Sequence, residues 1–220
     1  LRCRHCLHRS WPCRRHHIAF NILNVGRFKL GASTTGGSKM VLASAVPYTK
    51  DRKQFGQALC SFGLIRRKIA DVASAIFMSE SMLYRTAGLL DVAIDTLDKE
   101  DAGYDRKSIQ QVEEFSIECS MIKVFASEVL AHAADECLQM LGGYGYCQEY
   151  PLERIYRDER INRIFEGTNE INRMLVPGMI LKKAMKGELP FLQAAQAVAD
   201  ELTGLPSFEE PGEPEFLENE

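Results

Sequence analysis

The sequence predicts an all-α fold, an antiparallel four-helix bundle. Apolar residues recur at helical spacing through long stretches, and no segment shows the apolar–polar alternation of a half-buried strand. The breaks between these stretches are short and carry glycine, proline or acidic residues.

The first helical pattern runs from Ile18 to about Tyr48 through Ile22, Val25, Phe28 and Leu30, and Pro47 is expected to help close it. The second starts after Gly56 and passes Ile65, Ile69, Val72, Ile76, Met82, Leu89 and Ile94 to end near Leu97. Asp101, Gly103 and Asp105 then mark a polar loop. The third helix is expected over Lys107 to Leu141, through Val112, Ile117, Ile122, Phe125, Val129 and Leu138, with the pair Gly142-Gly143 ending it. An irregular Gly/Tyr/Pro stretch leads to a fourth helix from near Thr168 to Lys186, in which Pro177 is an expected kink or weak point. A further short helix fits Pro190 to Leu202.

Composition bounds the function. The 220 residues suffice for one helical domain with a core. The net charge of −3, from 27 basic and 30 acidic side chains, points away from a nucleic-acid partner. No apolar run approaches the roughly 20 residues that cross a bilayer. Cys60, Cys119, Cys137 and Cys147 lie at unrelated spacings, which reads as reduced thiols in a cytosol-like compartment rather than a disulfide framework.

Both ends differ from the middle. Residues 1–16 are arginine-rich, acid-free and hold Cys3, Cys6 and Cys13, yet with His16 and His17 they fit no common zinc-finger spacing. We expect no metal there, and read 1–16 as a non-native or disordered extension ahead of a bundle over 17–186. Residues 187–220 are expected to begin a C-terminal extension that ends in a solvated, disordered acidic tail from Phe208.

The candidate chemistry lies in Arg160-Ile-Asn-Arg-Ile-Phe-Glu-Gly-Thr-Asn-Glu-Ile-Asn-Arg173. Glu166 stands between Phe165 and Gly167, and Thr168 or Asn169 caps the helix that follows. A helix start offers unpaired N–H groups, so a carboxylate there can act as a base toward a C–H bond next to a carbonyl. On these residues alone, an ordinary charged loop remains the plainer reading. In Asp51-Arg-Lys-Gln-Phe-Gly56, Arg52 offers a fork suited to a pyrophosphate and Phe55 a stacking face, although an exposed charged loop explains them equally. Gln139 with Gly142 and Gly143 permits close approach of a ligand to the backbone, or a plain helix cap. Asn24 and Arg27 share a helix face and could reach one ligand, or decorate the surface.

Three blocks in order, Asp51–Gly56, Gln139–Tyr146 and Tyr156–Ile171, resemble the acyl-CoA dehydrogenases over about His17 to Lys186. The resemblance implies FAD-dependent α,β-dehydrogenation of fatty acyl-CoA thioesters to trans-2-enoyl-CoA, as in fatty acid β-oxidation. It makes Glu166 the catalytic base. It assigns Arg52, Gln54, Phe55, Phe62, Gln139, Gly142 and Gly143 to FAD held mainly by a neighbouring subunit, and Thr168 and Asn169 to the FAD phosphate or ribityl region. Leu23, Asn24, Arg27, Phe165 and Gly167 are assigned to the acyl-CoA. Some members of the family carry the base on the first helix, at the position that Gly26 fills here, which leaves Glu166 as the base.

The same resemblance implies a second subunit in a homodimer or tetramer and an electron-transfer flavoprotein as electron acceptor. It implies a cytoplasmic location in a bacterium and the mitochondrial matrix in a eukaryote. The chain lacks sequence corresponding to the family's N-terminal helical and middle β domains, so we expect a fragment inactive alone. Two alternatives stand beside it: a flavin-free bundle used for assembly or interaction, and an acyl-CoA oxidase.

Overall fold

The computed structural model describes residues 15–204, of which 15–21 are described by their backbone alone. The expectations for Cys3, Cys6 and Cys13 and for the acidic tail lie outside these residues. Residues up to Met179 make one compact unit and those from Ile180 a second.

In the first unit, α1 (Arg15–Asp51) leads through a two-residue hairpin, β1 (Lys53–Gln54) and β2 (Gln57–Ala58), to α2 (Gly63–Asp95). Next come α3 (Tyr104–Glu114), α4 (Ser116–Leu141), α5 (Pro151–Glu159) and α6 (Asn169–Met185). The fold is all-α, as the periodicity predicts.

The heart of the bundle is α4. Its buried residues run from Ser116 to Leu141 on nearly every face, because α1 and α2 both pack on it. Val41, Ala45, Val72, Ile76, Val129, Leu130, Ala133, Cys137, Met140, Leu141 and Leu152 form the main core. On α1 the residues facing α4 and α2 are small. Thr34, Thr35 and Ser38 return their hydroxyls to helix carbonyls at 2.8–3.1 Å, and Thr35 also meets Ser79 of α2 at 2.7 Å.

Gly31 marks the closest approach. A Cβ there would stand 2.2 Å from Ile122 Cγ2, the branched methyl of a buried residue. Gly31→Ala is therefore expected to cost about 1–3 kcal/mol through overpacking, although alanine is the better helix former. A denaturant melt of the variant against the parent measures it, and an unchanged midpoint would show that α1 and α4 yield freely.

Four local expectations need correction. Pro47 does not close α1, which continues to Asp51 because Ala45 and Tyr48 pack on the core on either side of it. The single third helix is broken at Phe115 (φ −90, ψ 18), where no sequence breaker stands. The break separates the exposed α3 from the buried α4, and α3 packs on α1. The stretch read as irregular contains α5, which opens with Pro151 in its first turn, a position where a missing N–H costs nothing. The loop read between the first two helices is a hairpin with Phe55 (φ 51) and Gly56 (φ 81) at its tip, both left-handed as a twist-matched two-residue turn requires. The fourth helix, α6, runs through Pro177, and its opening residues hydrogen-bond to α4.

The second unit holds the end of α6 and α7 (Phe191–Thr203), separated by Gly187 (φ 75). Its side chains are exposed along α7, where Gln196 donates to Asp200 at 2.8 Å. Among the described residues no helix is long and apolar enough to cross a membrane.

Candidate active site

Among the described residues, Glu166 is one of two non-glycine residues with positive φ, at 58°, and Gly167 follows at 81°. Two successive left-handed residues make a tight turn ahead of α6, held from beneath. Arg27 Nε donates to the Glu166 carbonyl at 3.1 Å, and Lys123 Nζ and Asn172 Nδ2 each donate to the Gly167 carbonyl at 2.8 Å. Asn172 Nδ2 also reaches the Thr168 carbonyl at 3.0 Å. Three consecutive carbonyls thus point into the bundle. The peptides are trans and planar, so the N–H groups of Gly167 and Thr168 point the opposite way. The N–H of Glu166 has no hydrogen-bond partner among the described residues.

The Glu166 carboxylate lies against α1. A Cβ built on Gly26 would stand 2.8 Å from its Oε2 and 2.9 Å from its Oε1. The glycine is the space that the carboxylate occupies. Both face a cavity of about 420 Å³ whose walls are Ile22, Val25, Lys29, Ile109 and Val112. The carboxylate takes no hydrogen bond within the described residues, so its oxygens remain free to accept a proton.

This wall differs from the expected one. Ile22, Val25, Gly26 and Lys29 follow the i, i+3, i+4, i+7 stripe, whereas Leu23, Asn24 and Arg27 fall on other faces. Asn24 and Arg27 do share a face, but it is the buried one, with exposures of 5% and 7%. Arg27 Nη1 donates to Asn24 Oδ1 at 3.4 Å and to Ser120 Oγ at 3.2 Å. Arg27 reaches the Glu166–Gly167 turn, and Asn24 holds the far side of its guanidinium. Burial pushes the Arg27 guanidinium below its usual range, and Glu166 pulls it partly back. Phe165 is half exposed and does not line the cavity; the aliphatic residues of α1 and α3 provide the apolar wall instead. Gly167 contributes backbone geometry, since its left-handed φ disfavours any side chain.

Thr168 caps α6, accepting the Ile171 N–H at 3.3 Å. Asn169 is buried instead, bridging α4 through Ser127 at 3.0 Å and Glu128 at 3.1 Å and accepting from Lys123 at 2.6 Å. Both residues line a smaller cavity of about 210 Å³ with Arg160 and Arg163.

A second recess, of about 510 Å³, shares no lining residue with the Glu166 cavity. Arg52, Gln54, Gln139, Gly142 and Gly143 converge on it from the hairpin and the end of α4. Tyr48 packs edge-on against Tyr144 and Tyr150, which are tilted to each other, with ring centroids 5.5–6.4 Å apart, and the Arg52 guanidinium lies 5.5 Å from the Tyr144 centroid. None of the Arg52, Gln54 and Gln139 side chains makes a hydrogen bond within the described residues, so the recess presents unspent donors beside Gly142, whose φ is 60°. That donor set suits a phosphorylated, aromatic ligand such as FAD. Phe55 and Phe62 do not line the recess. They pair edge-on at 6.4 Å, with Phe55 93% exposed at the strained hairpin tip.

Thiol and metal chemistry find no support among the described residues. Burial pushes the Cys119 thiol up to about 11 and the Cys137 thiol to about 12, so neither is an activated nucleophile. Among the described residues, no three His, Cys, Asp or Glu side chains group as metal ligands.

Residues 16–180 match the family of the acyl-CoA dehydrogenase C-terminal domain. The chain belongs to the acyl-CoA dehydrogenase family. It is 49% identical over 197 residues to a probable acyl-CoA dehydrogenase of Bacillus subtilis, covering 90% of this chain and 33% of that protein. The very long-chain specific mitochondrial acyl-CoA dehydrogenase of Rattus norvegicus is 36% identical over 188 residues, covering 86% of this chain and 24% of that protein. Among solved structures, an acyl-CoA dehydrogenase of Bacillus anthracis complexed with FAD superposes with a TM-score of 0.83 at 49% identity, covering 89% of this chain and 34% of that one. The chain thus spans about a third or less of the length of these relatives.

Lys123 and Asn172, which hold the turn, and the cavity walls Ile22, Val25, Lys29, Ile109 and Val112 were all missed by sequence reading. Lys123 stands in an apolar run, Ile122-Lys123-Val124, on the helix with the most buried residues, and a charged residue in such a run is the signal that could have flagged it.

Proposed function

We propose that this chain supplies the base and part of the cofactor contacts of an FAD-dependent dehydrogenase that converts fatty acyl-CoA thioesters to trans-2-enoyl-CoA. The observation that carries the reading is the free Glu166 carboxylate seated on Gly26 and facing an apolar cavity. Aliphatic walls suit an acyl chain and exclude water, and Glu166 removes the proton α to the thioester carbonyl. In this reading the unpaired Glu166 N–H donates to that carbonyl oxygen as enolate charge develops. When bound, the flavin supplies the acceptor for the β-hydride. Arg27 and Asn24 act beneath the turn, and Lys29 gives the cavity a cationic side chain.

The recess of Arg52, Gln54, Gln139, Gly142 and Gly143 is the proposed seat for part of an FAD bound mainly by a second subunit, and Phe55, exposed at the hairpin tip, is proposed to contact the same cofactor. Its separation from the Glu166 cavity supports this assignment, since one recess then serves a neighbour's cofactor and the other the chain's own substrate. A homodimer or tetramer follows from it. Exposed Leu64, Phe77, Met78 and Val92 on α2 offer apolar surface for such contacts. An electron-transfer flavoprotein is the proposed acceptor.

A chimera tests the reading: the Bacillus anthracis relative with its matched third replaced by the corresponding part of this chain. It is expected to purify yellow and to bleach when mixed with a fatty acyl-CoA. A colourless assembly would favour a flavin-free bundle, and a yellow one that fails to bleach would remove the dehydrogenase assignment.

A further inference from the structure

We propose that Lys123 is a positioning residue, which holds the Glu166–Gly167 turn in its left-handed conformation and thereby aims the base at the cavity. The inference rests on the reading of Glu166 given above and extends it into the middle of α4. Lys123 is fully buried, at 0% exposure, yet it forms no ion pair with a carboxylate among the described residues. Its ammonium is directed instead at the Gly167 carbonyl, 2.8 Å away, and at Asn169 Oδ1, 2.6 Å away. The first acceptor belongs to the turn and the second to the opening residue of α6.

The choice of residue is informative. Burial, and then the nearby Arg27 cation, push the Lys123 amine down to about 8, with Glu170, Glu166 and Glu128 pulling it back. A methionine would fill the same slot without that cost, so packing alone does not call for an amine. Glu166 is a non-glycine residue at φ 58°, a conformation that persists only when its surroundings over-determine it. Arg27 fixes the first carbonyl of the turn, and Lys123 and Asn172 fix the second. If the turn relaxed, the Gly167 carbonyl would swing off Lys123 and the carboxylate would leave the Gly26 surface. The charge on α4 therefore acts on the reaction through backbone geometry rather than by touching substrate.

Hydrogen–deuterium exchange on this chain tests the positioning without any flavin. In Lys123→Met, amides of the peptide spanning residues 160–173 should exchange about tenfold faster, while those of α2 and of the second half of α4 keep their protection. Unchanged exchange in 160–173, or an equal rise through α2 and α4, would overturn the proposal, the second outcome marking a plain packing role. Should Lys123→Met fail to fold, Asn169→Ala removes the lysine's side-chain anchor while leaving the lysine in its slot. It should loosen the same peptide alone, and an unaltered peptide would count against the proposal. In the chimera, Lys123→Met should slow flavin bleaching at saturating acyl-CoA by about 10²-fold, with flavin content and acyl-CoA affinity unchanged. Loss of affinity with an intact bleaching rate would also overturn it. A parent chimera that never bleaches would defeat the functional reading, and the exchange result would still judge the turn.

Discussion

Glu166→Gln, made in the chimera, is expected to slow flavin bleaching by acyl-CoA by about 10²–10⁴-fold, the usual contribution of a general base. Flavin content and acyl-CoA affinity should be retained. The amide is nearly isosteric, and the backbone N–H of residue 166 is untouched, so the contact to the thioester oxygen survives while the proton acceptor does not. Among the described residues the cavity offers no second carboxylate, since its other walls are Ile22, Val25, Lys29, Ile109 and Val112. Stopped-flow absorbance on mixing with acyl-CoA is the measurement. Parent-like bleaching in the variant would remove Glu166 from the mechanism.

A single methyl on the opposite wall should do nearly as much. Gly26→Ala places a Cβ 2.8 Å from Glu166 Oε2, closer than real contacts allow, so the carboxylate must move. The yielding group is the far end of a flexible side chain, and alanine is favoured over glycine within a helix by about 1 kcal/mol. Stability should therefore hold or rise. The bleaching rate should fall by about 10²-fold, because a base displaced by an ångström loses its near-attack geometry. A melt and a stopped-flow trace on the same preparation separate the two effects. A variant both stable and fully active would show that the carboxylate does not react from the place it occupies here. The reciprocal design, Gly26→Glu with Glu166→Gly, clears the clash and moves the carboxylate to α1. Partial recovery over Glu166→Gly alone is expected, as both positions face the same cavity.

Where the sequence was legible, the reason is periodicity, punctuation or family resemblance. The long helices showed because their apolar residues repeat at 3.6, and the end of α4 showed because Gly142 needs a positive φ. The candidate base showed through the resemblance of Phe165–Ile171 to the acyl-CoA dehydrogenases, because the local residues alone read more plainly as a charged loop. The break at Phe115 did not show, since nothing in the local residues disfavours helix there; the packing of α3 on α1 accompanies it. Asn24 and Arg27 were recognised as neighbours, yet spacing along one helix cannot say which face is buried.

From the chain alone came the all-α class, the family and the identity of the one carboxylate ahead of α6. These depend on local propensity and on the order of residues, which sequence carries directly. Tertiary structure decided the rest: that the carboxylate rests on Gly26, that Arg27 and Lys123 hold the turn from below, and that Arg52, Gln54, Gln139, Gly142 and Gly143 share a separate recess. Each of these is a meeting of residues far apart in sequence. Such meetings follow from which helix faces are buried together, and a linear pattern of apolar residues cannot state that.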